Sequence, residues 1–138
     1  MNHLTHDKLS IVNQCIENCE KNIDSCQNVI SMCSTRNFEE CAEKLGIFVR
    51  ISKENIKSCH ACINMCKDHL KDCDSEKCQV LCKELIAACQ NNINAIENCI
   101  AQCRQSSIDC IKDCEECIQL CQICAKACQN FIDKVSKI

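Results

Sequence analysis

Twenty of the 138 residues are cysteine, and they recur three and four residues apart. The run Cys110, Cys114, Cys117, Cys121, Cys124, Cys128 keeps that beat throughout, and it returns in Cys59, Cys62, Cys66 and Cys73. Residues at this spacing lie on one face of an α-helix. A helix carrying them presents a strip of sulfur, and soft thiolate ligands select Cu(I). Closed-shell Cu(I) accepts two or three sulfurs, so facing strips of thiols offer binding places for many ions in succession. The candidate ligands are Cys15, Cys19, Cys26, Cys33, Cys41, Cys59, Cys62, Cys66, Cys73, Cys78, Cys82, Cys89, Cys99, Cys103, Cys110, Cys114, Cys117, Cys121, Cys124 and Cys128, with His69 beside them. Whether Cys15 and Cys41 belong to the set is left open by the spacing.

Other uses of cysteine fit less well. Buried reduced Cys packs as a small hydrophobe, but six consecutive inward positions of this type surrender apolar volume that Leu or Ile would fill. Disulfide scaffolds are Cys-dense, small, loop-rich and secreted. Cysteines four apart on one helix cannot be bridged without distorting it. The pairs Cys89 with Cys99 and Cys114 with Cys124 have the gap of twinned helical-hairpin disulfides, yet each falls within one expected helix. The CxxC units at Cys59–Cys62, Cys114–Cys117 and Cys121–Cys124 continue a helical phase, whereas zinc and iron–sulfur motifs set CxxC in an irregular turn. They tile a surface and do not by themselves close a four-ligand cage. A thiolate buffer for Zn or Cd, or a disulfide-stabilised helical interaction protein, is the alternative reading.

The elements that must carry these thiols are helices. The chain has one Gly and no Pro, Trp or Tyr, whereas hairpins lean on Gly and Asn-Gly turns. Helical phase divides it at about residues 5–33, 38–72, 75–104 and 107–135, with Asp74 or Ser75 as N-cap of the third segment. The expected inward stripes are Leu9, Val12, Ile16, Cys19, Ile23, Cys26, Ile30 and Cys33 in the first segment, and Leu45, Val49, Ile56, Cys59, Ile63, Cys66, Leu70 and Cys73 in the second. The third gives Cys78, Cys82, Leu85, Cys89, Ile96, Cys99 and Cys103, and the fourth runs from Cys110 through Cys128 to Phe131 and Val135. Short connections make successive helices antiparallel neighbours. The expectation is one all-α domain over residues 1–138, an up-down-up-down four-helix bundle with a Cys-lined core.

Composition removes several functions. Net charge is −3 and aromatic content 2%, so neither a basic patch nor a base-stacking surface is present for nucleic acid. No apolar run approaches the roughly 18 residues of a membrane span. The first residues lack the pattern of a secretory signal, which points to a cytosolic protein, where thiols are kept reduced. No nucleophile–base pair, carboxylate pair or phosphate loop stands out, and no enzyme chemistry is expected.

The sequence Cys114-Glu-Glu-Cys117-Ile-Gln-Leu-Cys121-Gln-Ile-Cys124-Ala-Lys-Ala-Cys128 resembles the last helix of the bacterial copper storage proteins, in which CxxC and CxxxC alternate. Cys59-His-Ala-Cys62-Ile-Asn-Met-Cys66 and Cys99-Ile-Ala-Gln-Cys103 look similar to the same family, and the likeness extends over the chain in length and helix count. The resemblance implies a four-helix bundle, inward Cys holding many Cu(I) ions, tetrameric assembly and a cytosolic form. The chain departs from that pattern in its sparser first helix and in a stretch without Cys over residues 42–58. Part of the tube is therefore expected to be poor in metal.

All four His fall toward one end. His69 shares the face of Cys66 and Cys73 and is a candidate ligand at a tube mouth; His3 and His6 read first as solvated terminal residues, and His60 points outward. Met32 and Met65 read as core filler before they read as thioether ligands. Residues 45–51 are apolar nearly all round the helix, which suggests a subunit interface, with a packed local kink at Gly46 as the other explanation.

Overall fold

Thr5 opens the first helix, its Oγ1 accepting the backbone N–H of Lys8 at 3.2 Å. The computed structural model describes residues 4–35, 38–105 and 109–137, with the side chains of residues 34–41 and 109 outside that description. Four helices follow in order: α1 His6–Thr35, α2 Phe38–Asp72, α3 Glu76–Arg104 and α4 Asp109–Val135. Their bounds lie within about two residues of those expected from phase. Ser75 is the N-cap of α3: extended in backbone, it accepts the N–H of Cys78 at 3.4 Å, with Glu76 adding charge favourable to the helix N-terminus. At the other end the Gln105 N–H turns back to the carbonyl of Gln102.

The helices form a square. α1 packs on α2 and α4, α3 packs on α2 and α4, and the diagonal backbones stay apart. Cross-helix pairs fix the directions. Ascending α1 from Cys15 to Asn22 descends α2 from Cys59 to Ser52. The thiols grouped with Cys15 and then with Cys26 climb α3 from Cys89 to Cys99 and descend α4 from Cys124 to Cys117. The architecture is the all-α, up-down-up-down bundle that the 3–4 spacing called for.

The expected stripes hold in part on two helices: Val12, Cys19 and Cys26 of α1 and Cys59, Ile63, Cys66 and Cys73 of α2 are buried as expected, while the remaining expected positions sit to one side of the axis. On α1 the fully buried positions are Val12, Cys15, Cys19, Asn22 and Cys26, with Ile16, Ile23 and Ile30 only half-buried. On α2 they are Phe48, Ser52, Asn55, Cys59, Cys62 and Cys66, while Leu45, Val49 and Ile56 flank them. A 3–4 alternation can be drawn along either of two adjacent lines on a helix. The more hydrophobic line was the expected one. Apart from Val12 and Phe48, the residues that face the axis of the bundle, where four helices converge, are small, and the branched Ile16, Ile23, Ile30 and Ile56 seal the seams between neighbours. On α3 and α4 the expected stripes are the buried ones.

Residues 45–51 continue α2 without interruption. Phe48 enters the core, Ile47 is 40% exposed, and a Cβ at Gly46 would meet nothing. The packed kink at Gly46 is therefore not what accounts for this stretch. Among the described helices none is long and apolar enough to cross a membrane.

Candidate metal centre

Each helix contributes sulfur because its axis-facing line is cysteine, and the square brings the four lines together. At the centre of one half Cys15 of α1, Cys59 of α2, Cys89 of α3 and Cys124 of α4 form a four-thiol group, all ligand atoms within 4.8 Å of one another and all fully buried. The Cys15–Cys59, Cys59–Cys124 and Cys89–Cys124 sulfurs are 3.9, 4.0 and 3.8 Å apart. Spacing along one helix suggested no closed cage, yet four helices supply one. Cys15, left open by the sequence, also joins Cys62 and Cys128 in a three-thiol group.

Toward the α2–α3 turn the ligand set changes character. His69, Cys73 and Cys78 form a group, with His69 Nε2 2.8 Å from the Cys78 sulfur. The ring is buried, and Phe131 meets it edge-on at a centroid distance of 6.5 Å. The expected mouth histidine is thus an inward-facing one, while His6 and His60 are exposed and His3 lies outside the described residues. Met32 and Met65 are buried in the core.

In the opposite half α2 offers Phe48 and Ser52 where the other helices carry thiols, so among the described side chains the sulfur groups there draw on α1, α3 and α4. Cys26, Cys99 and Cys117 form one group, and Cys99, Cys103 and Cys114 another. The edges Cys99–Cys114, Cys103–Cys114 and Cys99–Cys103 measure 3.4, 3.6 and 4.0 Å. Cys110 approaches Cys103 to 2.7 Å. The thinning expected from the Cys-free stretch of α2 is present here.

The remaining described candidates lie outside these groups. Cys66 and Cys82 pair with each other, Cys19 and Cys121 meet asparagines, Cys33 is half-buried, and the side chain of Cys41 lies outside the described residues. Every described cysteine is a free thiol. Cys89, Cys99 and Cys114, Cys124 do each sit within a single helix, as expected.

Burial opposes thiolate formation, because a charge is poorly solvated in the core. Desolvation, with Cys73 second, pushes the Cys78 thiol up to about 12. A thiolate persists only where neighbouring S–H groups donate to it. Cys103, with Cys114 second, holds Cys110 down to about 3. Cys82 is lowered by Cys66, burial working against it, then by Cys78 and the nearby Lys8 ammonium. The arrangement is a proton-sharing thiol core that a soft cation can enter by displacing protons.

The sequence reading missed three buried amides. Asn22, Asn55 and Asn92 are fully buried on α1, α2 and α3. Their position in the count was available: Asn22 falls between Cys19 and Cys26, Asn55 four before Cys59, and Asn92 three after Cys89. No protein family, curated protein or solved structure matches this chain.

Proposed function

We propose that the chain is a high-capacity store for soft thiophilic metal, Cu(I) foremost, held by core thiolates for sequestration and later use. The observation that carries this reading is the repetition of buried thiol groups along one axis, with three-sulfur sets the commonest. Three thiolates satisfy Cu(I) but leave zinc one ligand short of its tetrahedron. The likeness of the last helix to the copper storage family points the same way. Free thiols require a reducing compartment, in keeping with a cytosolic location. Ile47, 40% exposed on the apolar stretch at residues 45–51, supports assembly into an oligomer, with a tetramer as the form implied by the resemblance; light scattering tests it.

A zinc or cadmium buffer is the second reading, and one observation favours it. Tetrahedral Zn–S bonds of about 2.3 Å place sulfurs about 3.8 Å apart, close to the edges measured in the Cys15–Cys59–Cys89–Cys124 group. That single group suits zinc; the three-sulfur groups do not.

The deciding experiment is an anaerobic Cu(I) titration of the reduced protein against a chromophoric chelator, with helicity followed by circular dichroism and Zn(II) as competitor. Tight uptake of several ions per chain at constant helicity, undisturbed by zinc, is the expected result. Uptake of one ion, or displacement of Cu(I) by Zn(II), would overturn the copper reading.

A further inference from the structure

Cys19, Asn55, Cys121 and Asn92 come from all four helices, and each is fully buried. Their hydrogen bonds close a ring. The Cys19 thiol donates to Asn55 Oδ1 at 3.5 Å, and Asn55 Nδ2 donates to the Cys121 sulfur at 3.6 Å. The Cys121 thiol donates to Asn92 Oδ1 at 3.4 Å, and Asn92 Nδ2 returns to the Cys19 sulfur at 3.7 Å. Every member donates once and accepts once around the circuit. Beside it Asn22 takes hydroxyl hydrogen bonds from Ser52 at 3.0 Å and Ser25 at 3.1 Å, completing a polar layer.

This layer lies between the two sets of thiol groups. The Cys15–Cys59–Cys89–Cys124 group is on one side and the Cys26–Cys99–Cys117 group on the other. Cys19 and Cys121 belong to neither, nor to any other group of three among the described residues.

We propose that the ring divides the thiol column into two reservoirs that fill separately, with Cys19 and Cys121 the last of the core thiols to take metal. The inference rests on the storage reading above. A metal ion that binds a thiol replaces its proton. In the ring that proton is the hydrogen bond to an amide oxygen, so metallation strips Asn55 and Asn92 of buried donors. Asn55 Oδ1 also accepts from Cys59 at 3.8 Å, and loading of the four-thiol group removes that donor first. Cys19 is then the donor that remains to it within the ring. A carbonyl oxygen is a hard ligand, ill-suited to Cu(I) as compensation. An orphaned buried acceptor of this kind lowers affinity roughly tenfold relative to sulfur sites that leave none behind. Metal drawn from one reservoir therefore leaves the other filled until the waist is crossed.

Cu(I) is diamagnetic, so the test is made on the intact reduced protein carrying ¹³C at Cys Cβ, titrated anaerobically with Cu(I). Cys19→Ser and Cys121→Ser assign the two waist signals, and the side-chain amides of Asn55 and Asn92 give a second readout. The expected result is that Cys15, Cys59, Cys89 and Cys124 shift at low equivalents while Cys19, Cys121 and both amides hold until the final ones. Asn92→Leu should advance the Cys121 shift to join its neighbours. Waist signals moving with or before the Cys15 group would overturn the proposal while leaving the storage reading intact. If no Cys signal moves, the storage reading falls and the partition with it.

Discussion

The ammonium of Lys8 lies 2.9 Å from Nδ1 of His69. An ammonium group only donates, so Nδ1 accepts and the ring proton resides on Nε2, facing the Cys78 sulfur. A metal ion shared with Cys73 and Cys78 needs the Nε2 lone pair. Taking it would move the proton to Nδ1, against the ammonium.

Lys8 therefore acts as a latch on the histidine. Long-range ¹H–¹⁵N spectra of the apo protein are expected to show the Nε2–H tautomer. Lys8→Met should let His69 ligate at lower Cu(I), with the affinity of that one group rising roughly fivefold, the equivalent of about 1 kcal/mol. A tautomer with hydrogen on Nδ1 in the wild type would reject the latch.

Alkali should unfold the apo bundle. The Cys78 thiol is pushed up to about 12 from an ordinary value near 9. A pKa raised on folding means the native state holds its proton where the unfolded chain has lost it. The stability from this group is present below pH 9 and is lost as pH rises toward 12. Urea midpoints measured from pH 8 upward should decline continuously. Filling the thiols with Cu(I) removes those protons in advance, so the loaded protein should show a flat profile over the same range.

Oxidation has a preferred first target. Cys103 and Cys110 sit 2.7 Å apart on either side of the α3–α4 connection, and each is slightly exposed, whereas Cys99 and Cys114 are fully buried. One equivalent of diamide, which accepts the two electrons and two protons, should join Cys103 to Cys110 before any other pair. Peptide mapping without reductant checks this, and a Cys99–Cys114 link appearing first would contradict it.

Gly46 offers a test of the surface at residues 45–51. A Cβ there meets nothing in the single chain, and Gly in a helix interior costs about 0.8–1.0 kcal/mol relative to Ala. Gly46→Ala should raise the free energy of unfolding by about 0.5–1 kcal/mol in thermal or urea denaturation. If another copy packs closely on this face, the same substitution should instead weaken the oligomer, visible as a smaller mass in light scattering.

On α3 and α4 every expected position is buried, because there the cysteines form the inward line, and Asn92 is the axis residue of α3 that went unread. On α1 and α2 apolar spacing chose Ile16, Ile23 and Ile56 over Asn22 and Asn55. One helix seen alone rewards the larger apolar residue. Four converging helices reward the smaller one at the axis, and the amides that follow it inward find partners on neighbouring helices as well as on their own.

The sequence by itself determined the class of chemistry and the architecture. Twenty cysteines in a 3–4 beat, with one Gly and no Pro, leave long helices with sulfur on one face as the consistent outcome. Spacing is a local property, and a helix converts it directly into a stripe. Only the tertiary structure decided which thiols meet. The four-thiol group, the Cys103–Cys110 approach, the Lys8–His69 contact and the asparagine ring each join residues on different helices. Those contacts depend on the relative height and rotation of helices in the square, which no single helix encodes.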